Sequence, residues 1–454
     1  MILKYVLLSL ATLIFITSSD PYYGTLLTFK PLPKETSGDV REVPWRRTDA
    51  FDYYLEDRGD RVSDSFAITT YYEPNVRFWF FIYTQFSSNQ VVFHDKNNLS
   101  LIYRVLDFSS LQAKKLPKNT LYILQQKITQ EKIDLMREDL WFVVKNPFSL
   151  EQRAKNFYES IKRAGVTIPT QKEKRIKFFT SLAENVRSQT GQKNFIRDGV
   201  TRSQPYQKFL RKYFKAQNLP SELLAIPFLE SSFNPDAQSK VNALGAWQFM
   251  PLIASYFVPK RTDSIDYRSN VGVASISAAF LMTENFKILK TWDLAVTAYN
   301  SGTKHLLKTR RELATSKIDL EEVIKHSDSG HFGFASKNFY SEFLALAHTL
   351  AYREEIFRSL HQHERNDVDE DLVFYLSKCS LRLDKVLNKE QLDNVDFHNH
   401  QLRNTSDSLP KGVIITSKSE LPKAKFLKLS FDQIVHAKPI HWDRFLKNQS
   451  CSTR

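Results

Sequence analysis

Residues 223–251, LLAIPFLESSFNPDAQSKVNALGAWQFMP, place one acidic residue, Glu230, in a row of positions that are otherwise apolar. The row recurs at alternating steps of four and three residues, which predicts one inward-facing stripe of a helix: Leu219, Leu223, Ile226, Glu230 and Phe233. Burial disfavours the charged form of a carboxyl group and raises its pKa, as a general acid working near neutral pH requires. The alternative is an ordinary buried Glu that pairs with an Arg or Lys.

The residues after Glu230 predict a helix end followed by a binding loop. Residues 231–235 (SSFNP) favour a turn, because Ser and Asn favour turns and Pro cannot continue a helical ladder. Residues 243–251 (ALGAWQFMP) then combine a Gly, where the backbone can approach a ligand, with the amide of Gln248 among large apolar groups. Such a mixture is typical of a site for a sugar-sized ligand.

A second predicted helix ends at a residue that could take part in the same site. Residues 292–299 predict a helix that Thr291 caps and that residues 300–302 (NSG) terminate. The hydroxyl of Tyr299 would then lie at the end of this helix, where it could reach the same site as Glu230.

Several motifs in one order resemble a known family. ESSFNPDAQSKVNALGAWQFMP (230–251) followed by LAVTAYNSG (294–302) resembles the catalytic domain of lytic murein transglycosylases, a goose-type-lysozyme-like superfamily. The resemblance is strongest to the membrane-bound lytic murein transglycosylase D-like branch and covers about residues 190–350. It implies a mainly α chain, with a lysozyme-like (goose-type) helical catalytic domain and α+β flanking regions.

The resemblance implies roles for individual residues. Glu230 matches the single catalytic acid of the family, and Ser239 matches the serine of an A-x-S element that supports the substrate or the acid. Tyr299 and Asn300 match an Ala-Tyr-Asn element whose Tyr lies near the catalytic carboxylate. A Gly-x-Trp-Gln-x-Met strip, expected to line the sugar subsites, is present as Gly245, Trp247, Gln248 and Met250.

The chain departs from the branch at residues 266–270 (DYRSN). The branch usually shows Asp-x-Arg followed by Asp-Pro, and the second Asp and the Pro are missing here. The departure leaves the geometry of this loop open and does not affect the acid.

The implied reaction is cleavage of the β-1,4 bond between N-acetylmuramic acid and N-acetylglucosamine. Glu230 would protonate the glycosidic oxygen and then, as a carboxylate, take the proton of the sugar's C6 hydroxyl, which leaves a 1,6-anhydromuramic acid end. No second carboxylate is evident near the motif, because Asp236 and Asp263 each have a simple turn or surface interpretation. No cofactor is implied, and no His, Cys or Asp cluster has metal-ligand spacing.

Two other classes of function stay open at this point. A goose-type lysozyme would use the same acid but deliver water, for which it would usually need a second carboxylate. A non-catalytic peptidoglycan-binding protein would keep the site and lose the acid. The presence of Glu230, Ser239, Gln248 and Tyr299 favours an enzyme.

Composition is consistent with a wall substrate. The chain has 454 residues, 42% of them hydrophobic, and 64 Lys and Arg against 50 Asp and Glu give a formal charge of +14. This charge favours anionic partners, and the carboxylates of peptidoglycan fit better than nucleic acid, for which no zinc-finger, helix-turn-helix or RNP motif is present. Peripheral association with the membrane or with other wall enzymes stays open.

The beginning of the sequence indicates export. Lys4 precedes an apolar run, and small residues at 17–19 (TSS) predict cleavage of a signal peptide, residues 1–19, and a mature protein in the periplasm or cell envelope. The run is short for a membrane span, and no Cys there supports a lipid anchor. Whether Cys379 and Cys451 pair cannot be decided from sequence.

The rest of the chain divides by pattern into four further regions. The boundaries are an N-terminal arm with an aromatic and hairpin region (20–115), a charged helical region (116–190), the lysozyme-like lytic transglycosylase domain (191–365) and a C-terminal α+β unit (366–454). The charged helices should pack on the catalytic domain. The last unit weakly resembles a degenerate LysM-like module, and a structural cap on the helical domain is the alternative. In the hairpin region, Tyr83, His94 and Asp95 have a structural interpretation.

Overall fold

The computed structural model describes residues 40–43, 51–260, 262, 265–312, 319–327, 332–357, 371–402, 404, 406–447 and 449–451. Helices dominate these residues, and the strands form small sheets. The prediction of a mainly α chain is confirmed. The segment predicted as a signal peptide lies outside the described residues.

A four-stranded antiparallel sheet begins the described part of the chain. Its order is β1-β3-β2-β4, from β1 (Arg41–Glu42), β2 (Gln90–Asp95), β3 (Ile102–Asp107) and β4 (Val186–Thr190). The short α1 (Asp52–Leu55) and the aromatic α2 (Glu73–Thr84) precede β2. The predicted hairpin is confirmed: the carboxylate of Asp95 accepts hydrogen bonds from the backbone N–H of Asn97 (2.8 Å) and Asn98 (2.7 Å), which closes the turn between β2 and β3.

The charged region is helical, as predicted, up to its last residues. It contains α3 (Ser109–Gln112), α4 (Lys118–Lys145), α5 (Gln152–Arg163) and α6 (Lys172–Asn185). These helices pack on one another and on the sheet, and their buried residues, such as Leu140, Phe157 and Phe179, form one core with Phe93 of β2. The expected packing on the catalytic domain is therefore replaced by packing on the sheet, because β4 follows α6 directly and returns the chain to the strands.

The next region consists of helices. They are α7 (Lys193–Ala216), α8 (Ile226–Ser231), α9 (Pro251–Phe257), α10 (Val271–Leu289), α11 (Trp292–Ser301), α12 (Thr303–Glu312), α13 (Leu320–His326), α14 (Phe334–Ala351) and α15 (Arg353–Ile356). α10 lies at the centre, and every residue from 271 to 279 is buried. It packs on α7 and α11, while α14 packs on α2, α8 and α11. Because α14 contacts both α8 and α2, it joins the region around Glu230 to the N-terminal unit, which comprises the described residues between 40 and 190.

The C-terminal unit alternates strands and helices, as its sequence predicts. It comprises β5 (Val373–Ser377), β6 (Leu381–Arg382), α16 (Lys389–His398), β7 (Ser408–Leu409), β8 (Ile414–Ser417), β9 (Phe426–Lys428) and α17 (Phe431–His436). Three strands form a sheet of order β8-β5-β9, and a disulfide joins Cys379 to Cys451. The unit packs against the start of α10, where Phe374 lies so close to Gly272 that a Cβ there would be 2.7 Å from its ring.

Candidate active site

Glu230 lies in the last turn of α8. A 3-10 turn at Ser221–Ala225 leads into the helix, and Pro227 stands in its first turn, where a missing N–H costs nothing. The helix ends at Ser231, and Ser232 follows in the left-handed conformation at φ 51°. The predicted helix end is thus confirmed. The apolar stripe is buried as expected, although its first part is 3-10 rather than α-helix.

The surroundings of the Glu230 carboxyl group favour its protonated form. Burial, and next the charge of Glu342, raise the pKa of Glu230 to about 8. Within the described part of the chain, no hydrogen bond or ion pair reaches this carboxyl group. Its neighbours Phe228 and Ser231 are buried, and Glu230 itself is partly exposed. The described residues supply no Arg or Lys partner for Glu230, and its raised pKa favours the protonated carboxyl group at neutral pH.

The end of α8 is tied to the loop that follows it. The hydroxyl of Ser231 lies 2.8 Å from the carbonyl oxygen of Ala246 and accepts the N–H of Asn234 at 3.0 Å. Arg202 of α7 donates to the carbonyl oxygen of Ser232 at 2.6 Å. Neither Ser231 nor Arg202 was predicted as part of the site. Together they hold the backbone next to Glu230 in place. In the sequence, Arg202 could have been noticed only as a polar residue among the apolar positions of α7.

The Gly-x-Trp-Gln-x-Met strip is arranged differently from the expectation. Trp247 has no exposed surface, and its Nε1 donates to Ser275 Oγ of α10 at 2.7 Å. The expectation that Trp247 lines a sugar subsite is corrected, because its ring is buried in the core and its side-chain donor binds Ser275 there. Gln248 is 7% exposed, and its Nε2 donates to the carbonyl oxygens of Ala237 and Gly245, each at 2.9 Å. It braces the loop from inside, whereas Met250 is 40% exposed.

Gly245 brings two backbone segments together. Its φ is 84°, and a Cβ at this position would lie 1.8 Å from the carbonyl oxygen of Arg268. Arg268 is itself buried and fixed, since its guanidinium group binds the carboxylate of Asp266 at 2.8 Å and the carbonyl oxygens of Asn242 (2.7 Å) and Phe249 (3.0 Å). Arg268 therefore fixes the strip through the carbonyl oxygens of Asn242, which precedes it, and Phe249, which lies within it.

The loop that departs from the branch pattern still forms a helix start. The side chain of Asn270 accepts the N–H of Val273 at 2.9 Å and so caps α10. Its amide also donates to Gln401 Oε1 at 2.9 Å and Thr416 Oγ1 at 3.1 Å of the C-terminal unit. Asn270 thus supplies the cap, and it links α10 to the C-terminal unit.

Tyr299 lies near Glu230, as expected from sequence. Its hydroxyl donates to the carbonyl oxygen of Trp247 at 2.7 Å, and burial together with the charge of Glu230 raises its pKa well above 10, so it stays neutral. Asn300 accepts a hydrogen bond from Ser336 of α14 at 2.9 Å. One detail is wrong: Thr291 precedes the helix, but its side chain makes no capping hydrogen bond.

Ser239 closes a turn beside the strip. Its hydroxyl accepts the N–H of Ala243 at 2.9 Å, and its own N–H donates to the Ala243 carbonyl oxygen at 2.9 Å. It is only partly buried. Of the two carboxylates weighed from sequence, Asp236 is exposed and lies 3.0 Å from His400, and Asp263 lies outside the described residues.

The structure adds a second carboxyl group that sequence did not indicate. Glu342 of α14 acts electrostatically on Glu230, accepts a hydrogen bond from Tyr83 at 3.2 Å and faces Arg187 of β4. Nothing in the sequence placed Glu342 near Glu230, because α14 and α8 are far apart along the chain.

Neither a metal site nor a membrane-spanning helix is found in the part of the chain that the structure describes. No group of His, Cys, Asp and Glu side chains among them is placed to hold a metal ion. None of the helices in the described part of the chain is both long enough and apolar enough to cross a bilayer.

Comparison with known proteins identifies the region around this site. The sequence model of the transglycosylase SLT domain matches residues 209–321. Membrane-bound lytic murein transglycosylase D of Escherichia coli K12 is 36% identical over 118 residues, which are 26% of this chain and 26% of that protein. A putative tributyltin chloride resistance protein of Alteromonas sp. strain M-1 is 34% identical over 109 residues, 24% of this chain and 52% of that protein.

The similarity is confined to one part of each protein. The aligned region spans about a quarter of the E. coli relative and about half of the Alteromonas relative. The matched residues include Glu230, the strip from Gly245 to Met250, and Tyr299. Residues 209–321 therefore match the transglycosylase SLT domain, and the resemblance to lytic murein transglycosylases is confirmed over that region.

Proposed function

We propose that the protein is a lytic transglycosylase that cleaves the β-1,4 bond between N-acetylmuramic acid and N-acetylglucosamine in peptidoglycan. The observation that carries the proposal is Glu230, a carboxyl group with a pKa raised to about 8 and no ion-pair partner among the described residues, inside an SLT domain. The E. coli relative in sequence is named a membrane-bound lytic murein transglycosylase, and peptidoglycan is anionic whereas this chain carries a formal charge of +14.

In the proposed reaction Glu230 gives its proton to the glycosidic oxygen as the bond from that oxygen to the anomeric carbon breaks. The anomeric carbon passes through an oxocarbenium-like state. The C6 hydroxyl of the same sugar then bonds to this carbon and gives its proton to the Glu230 carboxylate. The acid is regenerated, no water is consumed, and the product carries a 1,6-anhydro ring.

The surrounding residues would bind and orient the glycan strand. Met250 and the partly exposed Tyr299 and Asn300 can contact sugar, and a neutral Tyr299 places no charge beside the developing cation. Ser239 closes the turn before Gly245, and we keep it as a substrate-supporting residue. Gln248 shapes the strip through its two backbone hydrogen bonds.

Hydrolysis is the second candidate reaction, and Glu342 is the observation that favours it. A lysozyme-type enzyme would use a second carboxylate to activate water. The two reactions leave different ends on the sugar. A non-catalytic binding protein is disfavoured because the acid is present and its pKa is raised.

We expect sacculi digested by the purified protein to release 1,6-anhydromuramic acid ends. These fragments lack one water relative to hydrolysis products, and they have no free reducing group for borohydride to reduce. Mass analysis before and after borohydride treatment distinguishes them. Mainly reducible fragments that carry the extra water would assign the protein as a hydrolase.

We also propose that the protein is exported by cleavage after residue 19. The signal-like pattern of residues 1–19 motivates this, and the disulfide between Cys379 and Cys451 supports an oxidising compartment. N-terminal sequencing of protein from the envelope fraction should read from about Asp20. Protein that keeps Met1 and stays in the cytosol would remove the wall substrate from consideration.

A further inference from the structure

The acid-bearing helix has a carboxyl neighbour that the single-acid reaction does not use. Glu342 lies on α14, which packs against α8 and so against Glu230. Both side chains are partly exposed although most of their helix neighbours are buried. They form a pair of carboxyl groups at the junction of α8 and α14, called the carboxyl pair below.

The position of Glu342 is set by α2 of the N-terminal unit. Trp79 Nε1 donates to Asn338 Oδ1 at 3.4 Å, and one turn further on the hydroxyl of Tyr83 donates to Glu342 Oε2 at 3.2 Å. Both contacts advance by four residues on each helix, so α2 and α14 run parallel here and meet along one face. Because Tyr83 is 1% exposed, its hydroxyl cannot turn to solvent.

A partly buried cation faces Glu342 from the sheet. Arg187 of β4 lies opposite His94 of β2 in the strand pairing, and its guanidinium carbon lies 4.1 Å from the centre of the Phe334 ring. Its Nε is buried and has no hydrogen-bond partner among the described residues. Burial lowers the pKa of His94 to about 3, so the imidazole is neutral and Arg187 is the cation beside Glu342.

The two members of the carboxyl pair therefore have unequal surroundings. A hydrogen-bond donor and a cation both favour the ionised form of a carboxyl group, and Glu342 has one of each. Glu230 has neither, and from α11 it faces only the neutral Tyr299. No other charged group of the described residues interacts electrostatically with either carboxyl group. This includes the charged groups of α1, of α15 and of Ser221–Ala225.

We propose that Glu342 is a positioning residue for the catalytic proton: held by Tyr83 and Arg187, it ionises first, and its charge then keeps the proton on Glu230. The proposal rests on the proposed role of Glu230 as the general acid. It also gives the N-terminal unit a part in the active site, since Tyr83 and Arg187 belong to that unit and act on Glu230 through Glu342.

The order in which Glu342 and Glu230 lose their protons determines how activity depends on pH. Burial raises the pKa of both carboxyl groups above the ordinary value, and the pair loses its two protons in separate steps. When Glu342 ionises, its charge raises the pH at which Glu230 loses its own proton. Activity needs the protonated acid, so it is full at lower pH and is lost as the pH rises through the second step.

We expect Glu342→Gln to move the alkaline limb of the pH–rate profile to lower pH by roughly one pH unit, the scale on which interacting carboxyl groups separate their titrations. The ratio of variant to wild-type rate therefore falls as the pH rises. Tyr83→Phe removes the donor that favours ionised Glu342, and it should move the limb in the same direction by less. The matched control is Glu284→Gln, which removes a partly exposed carboxyl group of α10 that pairs with Lys287, and it should leave the limb in place.

Other outcomes would overturn the proposal. A limb that stays in place in both folded variants would mean that Glu342 only stabilises the contact between α2 and α14. Loss of turnover at every pH, with reducible wild-type products, would make Glu342 the base of a hydrolase. If Glu342→Gln does not fold, Tyr83→Phe decides alone.

A direct titration separates this proposal from the proposed function. Carbon-13 NMR of carboxyl-labelled Glu, with the Glu230 signal assigned by its loss in Glu230→Gln, measures the pKa of Glu230 without any turnover. We expect a lower pKa in Glu342→Gln than in the wild type, even if the protein does not cut peptidoglycan. An unchanged pKa of Glu230 would refute the coupling while leaving the transglycosylase proposal intact.

Discussion

Glu230→Gln is expected to lower turnover on sacculi by at least ~10²-fold while the fold is retained. Gln keeps the shape of the side chain and its neutral hydrogen bonding, but it can neither donate a proton to the glycosidic oxygen nor take one back. Release of soluble fragments by the purified variant measures the loss. The control for removing a carboxyl group elsewhere is Glu284→Gln, at a partly exposed residue, and this variant should digest at the wild-type rate.

Urea unfolding of the wild type and the Gln variant at several pH values tests whether the loss comes from unfolding. The folded-state pKa of Glu230 is raised from 4.5 to about 8, so between these values the folded chain holds a proton that the unfolded chain releases. Wild-type stability contributed by this group is therefore present below pH 4.5 and is lost as the pH rises towards 8. The Gln variant lacks this loss, so its free energy of unfolding relative to the wild type should increase across that window. Undiminished digestion by a folded Gln variant would contradict the assignment of Glu230 as the acid.

Gly245→Ala is expected to lower the free energy of unfolding by about 3 kcal/mol or more. The added Cβ would lie 1.8 Å from the carbonyl oxygen of Arg268, and the backbone φ of 84° is strained for any L side chain. The Arg268 backbone cannot move aside cheaply, because its buried guanidinium group is bound to Asp266, Asn242 and Phe249. Urea unfolding of the full chain measures the change.

Gly165→Ala separates the clash from the backbone strain. Gly165 also has a positive φ, 69°, but a Cβ there meets nothing within 4 Å. Its substitution should cost only about 1 kcal/mol, the strain of the left-handed backbone. Equal losses for the two variants would show that Arg268 yields, and the strip would then not be held from that side. Digestion by Gly245→Ala at a temperature where it is folded should still be reduced, because Gln248 and Met250 follow the displaced residue.

Local patterns predicted the helices and turns of the site well. The apolar stripe around Glu230, the turn after it, the hairpin at Asp95 and the helix that ends near Tyr299 all depend on residues within a few positions of one another. Periodicity and turn residues report such short-range preferences directly. Trp247 shows where this fails: a large ring in a predicted binding loop looks like a ligand platform, and only the packed structure shows that its donor binds Ser275 inside the core.

The sequence by itself singled out Glu230 as the candidate acid and predicted the apolar stripe around it, because one carboxyl group in an apolar row is visible along a single helix. Only the tertiary structure decided which charged and polar groups lie around Glu230. Glu342, Tyr83 and Arg187 belong to a late helix, an early helix and a strand of the N-terminal unit, and no spacing rule connects them. Electrostatic coupling depends on distance in space rather than on separation along the chain, so these groups become neighbours only when α14 packs between α8 and α2.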